Sequence, residues 1–142
     1  MEIPTAEDWQ FEEQPPDLDE AWAYKNFYGK TFEEAVRLFE ENAFHYQEDL
    51  YYMPGRVFGF YLKAFIAYLM SDAARGECDA ASSFIHLIRS KAKNRRDDII
   101  PLWPEIEPAL RRLAEHQADY GADREVYGSF RKRVGEIARQ VS

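Results

Sequence analysis

The chain has 142 residues, 46% of them hydrophobic and 15% aromatic, with a single cysteine. That length can bury a core as one domain without disulfides or a structural metal. The aromatic content excludes a disordered chain, and Cys78 by itself excludes an internal disulfide framework. Net charge is −8 and unevenly placed: residues 1–55 hold 14 acidic and 3 basic side chains, residues 56–142 hold 12 and 15. Such an acidic half repels polyanions, so nucleic acid is not an expected partner, and it can steer a basic protein toward itself.

Residues 1–17 read as an N-terminal arm, interrupted by Pro4, Pro15 and Pro16 and anchored by Trp9 and Phe11. The basic start and apolar core of a secretion signal are missing from it. The most apolar segment, Val57 to Met70, spans 14 residues, short of the roughly 20 needed to cross a bilayer as a helix. The expectation is a soluble cytoplasmic protein with no membrane partner. Residues 18–142 read as one helical domain.

Its first helix is signalled by Asp17 or Asp19 as a cap and Gly29 as a stop. Thr31 and Glu34 match a capping box, and Phe32, Ala35, Val36, Phe39 and Ala43 recur at helical spacing behind them. That pattern runs on through Tyr46, Leu50 and Met53 to Pro54-Gly55. One helix from 32 to about 52 fits, as do two helices meeting near Asn42. The next helix, RVFGFYLKAFIAYLMSDAARG, is apolar over most of its surface and belongs at the centre of a bundle. A fourth starts near Asp79, with Phe84, Ile85, Leu87 and Ile88 inward, and leads into the basic run Lys91, Lys93, Arg95, Arg96. Trp103, Ile106, Leu110, Leu113, Gln117 and Tyr120 form a seam that resumes at Tyr127, Phe130, Val134, Ile137 and Val141. One long helix, or a pair broken at Gly121-Ala122-Asp123 with Asp123 as a new cap, would both produce it. The predicted fold is an all-α, single-domain bundle of five or six helices.

Among chemical candidates, His45, Glu48 and Asp49 stand at the i, i+3, i+4 spacing that brings ligands onto one helical face. The set is neither H-E-x-x-H nor a repeated E-x-x-H arrangement, so no metal or other cofactor is expected. Arg56 can pair with Asp49 or meet an anion. Arg131, Lys132 and Arg133 read as a solvated helix face, and the 91–96 run is offset by Asp97 and Asp98. Cys78 lacks a C-x-x-C partner, and no phosphate-binding glycine loop or G-x-S-x-G elbow occurs. An enzyme is therefore not the leading expectation.

The segment YQEDLYYMPGRVFGFYLKAFIAYLMSD, with Phe58, Tyr61, Leu62, Ala64, Phe65, Tyr68 and Leu69 in an F-x-x-Y-L-x-A-F-x-x-Y-L pattern, resembles one found in small bacterial helical proteins of unknown function. The likeness covers about residues 43–90, and some such acidic helical proteins look like immunity proteins of bacterial toxin systems. It implies a helical fold and a protein partner, with no catalytic residue to carry over. The leading expectation is a protein-binding module whose acidic face meets a basic protein such as a toxin. Glu40, Glu41, Glu48 and Asp49 with Tyr51 and Tyr52 are its candidate binding residues. A metal-dependent or small-molecule enzyme using His45, Glu48 and Asp49 is the alternative. An assembly module built on the Trp103–Val141 seam is a third, and the oligomeric state is left open.

Overall fold

In the computed structural model, which describes residues 2–142, eight α-helices follow one another: α1 Leu18–Phe27, α2 Phe32–Tyr46, α3 Gly55–Leu69, α4 Cys78–Asn94, α5 Arg96–Ile99, α6 Trp103–Glu115, α7 Arg124–Tyr127 and α8 Phe130–Val141. Six of these have ten or more residues, while α5 and α7 are single turns. Short 3-10 segments join them, and the described residues contain no strand. The expectation of an all-α bundle of five or six helices is met by the six longer ones. Cα packing divides the chain into two compact units, residues 1–67 and 68–142, and the division falls inside α3.

In the first unit, helix starts follow local chemistry. Asp17 accepts from the Glu20 amide at 2.8 Å while Glu20 accepts from the Asp17 amide at 3.0 Å. Thr31 and Glu34 repeat this reciprocal box at the start of α2. Gly29, at φ 78°, supplies the left-handed residue that ends α1. The core is a chain of rings: Phe27 lies 5.0 Å from Tyr61 and 5.7 Å from Phe39, which stacks on Phe65 at 4.8 Å. Tyr61 donates to the carbonyls of Phe27 and Lys30 at 2.9 and 2.8 Å, so its hydroxyl is satisfied inside the core. Trp9 of the arm is buried beside this cluster, whereas Phe11 is half-buried.

Of the two readings of this stretch, one helix from 32 to about 52 or two helices meeting near Asn42, the structure follows the second. Asn42 leaves helical geometry at φ −160°, ψ 78°, and its Oδ1 accepts from the His45 amide at 3.2 Å. Asn42 thus breaks one helix and caps the next turn, as short amide side chains do. Gln47–Tyr52 then tightens into a 3-10 helix packed on α1.

In the second unit, α8 packs on both α4 and α6, and Phe84, Ile88, Ile106, Leu110, Leu113, Phe130 and Ile137 are buried. Packing of α6 and α8 within one chain accounts for much of the seam without a partner. The seam is neither one helix nor a pair broken at 121–123. α6 ends at Glu115, Asp123 caps only the single turn α7, and Ser129 caps α8 by accepting from the Lys132 amide. Gln117, which fits the apolar spacing, is a polar latch. Its Nε2 donates to the Ala122 and Gly128 carbonyls at 3.1 and 2.8 Å, and its Oε1 accepts from the Phe130 amide at 2.8 Å. Gly121 turns the chain at φ 68°, where a Cβ would come within 3.4 Å of the Gly76 backbone.

Candidate binding face

The 3-10 helix that follows the Asn42 break gathers four of the six predicted binding residues. Glu48 is exposed; Asp49, Tyr51 and Tyr52 are half-buried, and the two tyrosine rings meet edge to face at 5.3 Å. Because this segment packs on α1, it lies near two carboxylates that sequence spacing did not associate with it. Burial raises the Tyr52 phenol above its ordinary pKa, and the negative charges of Asp19, Asp17 and Glu48 add to that rise. Burial likewise raises Asp49, while the Asn26 amide, donating to its Oδ2 at 2.7 Å, opposes the shift. Asp49 is therefore partly spent on the fold. Glu40 and Glu41 are exposed on α2 before the break, with no hydrogen bond or ion pair joining them to the 3-10 segment among the described residues.

The metal-dependent alternative loses its ligand set. No group of three or more His, Cys, Asp or Glu side chains is placed to hold a metal ion among the described residues. The Asn42 break and the 3-10 segment replace the regular helix on which the His45, Glu48 and Asp49 spacing relied. Arg56 does not pair with Asp49; its guanidinium lies 3.5 Å from Asp8 of the arm.

Elsewhere in this unit, the arm and α1 form an open groove of about 360 Å³ whose lining includes Trp9, Phe11 and Tyr24. Trp9 stands edge to face with Tyr24 at 5.3 Å. Its indole N–H is the buried side-chain polar atom without a hydrogen-bond partner among the described residues; the adjacent ring faces are its remaining weak acceptors. Gln14 donates its Nε2 to the Phe11 carbonyl at 3.1 Å, which leaves its carbonyl oxygen as an acceptor at the rim. Spacing identified Trp9 and Phe11 as anchors of the arm. It did not reveal Tyr24 as their partner, because α1 has no clear apolar stripe to show which way Tyr24 turns.

Three further sequence candidates resolve into structural roles in the second unit. Lys91 is fully buried, with Nζ 2.7 Å from Asp98 Oδ2, so the basic run is not a continuous surface patch. Arg133 is half-buried rather than solvated, donating to Ser82 and to the Tyr127 carbonyl. The Cys78 thiol lies 3.1 Å from Tyr127 Oη, which donates to Asp79 at 2.6 Å. Those hydrogen bonds raise the Tyr127 pKa, the one to Asp79 most. The group beside the thiol is thus a phenol that keeps its proton, not the general base a nucleophile needs.

No helix among the described residues is long and apolar enough to cross a membrane. No family model, curated protein or solved structure matches the chain. The fold and the residues of this face therefore carry the functional reading.

Proposed function

We propose that the chain is a small cytoplasmic protein-binding module, of the immunity-protein kind, that captures a basic partner protein through the acidic surface of residues 2–67. The observation that carries this reading is the clustering of Asp17, Asp19 and Glu48 about Tyr52. It occurs in a unit with 14 acidic and 5 basic side chains, against 12 and 13 in the other unit. The charges of Glu48 and Asp19 also oppose ionisation of Asp49, and a cationic partner is favoured by such a field while its approach is accelerated. Tyr51 and Tyr52 offer the apolar area with a polar tip that anchors many interfaces. Glu40 and Glu41 extend the same charge along α2 and act through the long-range field rather than as anchors.

Affinity capture from cells of the source organism tests the reading, comparing the natural chain with a Glu48→Lys/Tyr52→Ala variant. A basic protein is expected on the natural chain and not on the variant. Its retention should fall as salt rises from about 0.05 to about 0.3 M, because surface charge is screened. An identical partner profile for both chains removes this face from consideration.

A further inference from the structure

We propose that the groove between the N-terminal arm and α1 receives an arginine side chain of that basic partner, an assignment that rests on the preceding reading. Three observations converge on it. The groove, at about 360 Å³, is lined by Trp9, Phe11 and Tyr24. Trp9 is buried behind it and Tyr24 stacks one face on Tyr28. The half-buried Phe11 and the exposed side of Tyr24 therefore offer the aromatic surface, which attracts cations through the ring quadrupole. Gln10 and Gln14 also line it, and one Gln14 side-chain N–H is already used on the Phe11 carbonyl. The other N–H is still available beside the Gln14 oxygen, and that oxygen accepts hydrogen bonds from a ligand that donates. Finally, residues 2–24 contain eight carboxylates, at Glu2, Glu7, Asp8, Glu12, Glu13, Asp17, Asp19 and Glu20, and no lysine or arginine. The groove is lined by uncharged residues of this stretch, so the carboxylates, of which Asp8 is paired with Arg56, act on an occupant through their field rather than by contact.

Charge complementarity thus selects a cationic occupant, and the walls select its shape. A guanidinium is planar, stacks on rings and gives its N–H groups in the plane, toward amide oxygens at a rim. An ammonium is a compact, strongly hydrated charge that uses such walls less well. Ala21 belongs to the lining and is itself exposed, so a larger side chain there fills the groove without entering the core.

The test is an NMR titration of the whole chain with the blocked tripeptide acetyl-Gly-Arg-Gly-amide, alongside its lysine and citrulline counterparts. Citrulline keeps the planar shape and loses the charge. Saturable shifts are expected at the Trp9 indole N–H and the backbone amides of residues 6–24, with the citrulline peptide about tenfold weaker and the lysine peptide between the two. Ala21→Trp should weaken the arginine peptide about tenfold, and Tyr24→Leu should do so by removing a wall. Trp22→Ala, which changes an exposed ring outside the lining, should leave binding unchanged.

The proposal is overturned if citrulline binds as well as arginine, if Ala21→Trp binds normally, or if the shifts spread over the acidic surface without saturating. Its fate is separable from that of the functional reading. A partner captured equally by the natural chain and Ala21→Trp, with no saturable peptide binding, refutes the groove alone. Peptide binding with no partner lost from the Glu48→Lys/Tyr52→Ala variant refutes the face and retains the groove.

Discussion

Replacing Gln117 with leucine should show how a single side chain holds the connection between α6 and α8. The natural amide makes three hydrogen bonds, to the Ala122 carbonyl, the Gly128 carbonyl and the Phe130 amide. Leucine has nearly the same size and makes none of them. The Phe130 amide is the main loss: it stands in the first turn of α8, where the helix offers no acceptor, and its bond to Gln117 is half-buried. Leaving such a donor without a partner costs about 1–2 kcal/mol, and the bond to Ala122 adds about 0.5–1. The Gly128 bond is exposed, so water replaces it at little cost. The total is about 2 kcal/mol, roughly 8 °C in Tm for a chain of this size.

Gln117→Glu separates the parts, since it keeps the acceptor for Phe130 and loses both donations. It should cost about 1 kcal/mol, from the lost Ala122 bond and a carboxylate brought near two carbonyls. Urea unfolding measures the stability, and amide hydrogen exchange at Phe130 reads the bond itself. Exchange there should quicken in the leucine variant and stay slow in the glutamate variant. The reasoning is refuted if leucine lies within about 0.5 kcal/mol of the natural chain, or if Phe130 exchange is unchanged.

Tyr61→Phe removes a hydroxyl whose single proton is shared between the Phe27 and Lys30 carbonyls, the first bond buried and the second half-buried, and should cost about 1–2 kcal/mol at neutral pH. Burial, aided by the charge of Glu34, pushes the Tyr61 phenol from 10.0 up to about 12. The folded chain therefore holds this proton more tightly than the unfolded chain. Its contribution is complete below the lower value and lost as pH rises through the upper one, so the deficit of the variant should narrow between urea titrations at about pH 8 and about pH 12. Asp49→Asn should leave the fold as stable or more stable at neutral pH, because the half-buried carboxylate is raised by burial and so disfavours its own ionised form. The sign follows from the direction: a raised carboxyl contributes most below its unfolded pKa and loses that contribution as pH rises through the folded one. Any gain from asparagine should therefore shrink on acidification, and a gain that grew in acid would contradict the assignment.

What was legible in the sequence follows from the range of the forces involved. Thr31 with Glu34 acts across three residues, so spacing was enough to place the start of α2. At α1 the sequence left Asp17 and Asp19 as alternative caps, and the reciprocal bonds with Glu20 select Asp17. Much of the ring core was visible because Phe39, Phe58 and Phe65 recur at helical spacing, whereas Phe27, in a helix without a clear apolar stripe, was not. In sequence, a break at Asn42 is one of two alternatives for its helix, and Gln117 reads as part of the seam. Each sits where an apolar period continues past it, and each side chain outcompetes the helix by satisfying backbone groups that regular geometry would have paired otherwise. The candidate face was half legible for the same reason. Glu48, Asp49, Tyr51 and Tyr52 share one short segment, but Asp17 and Asp19 reach it only through packing of that segment on α1. Lys91 was misread as part of a patch because its burial depends on Asp98, which reads in sequence as charge cancellation at the surface.

The burial of Lys91 gives the chain an internal clock for its own opening. Five other lysines, at 25, 30, 63, 93 and 132, are exposed or half-exposed, whereas Lys91 has no exposure and its amine is held against Asp98. Acylating reagents, and enzymes that acetylate surface amines, meet those five in the native state. They reach Lys91 only in molecules where α4 and α5 have parted. The rate at which acyl groups accumulate at that one position, relative to the others, then counts excursions out of the native state.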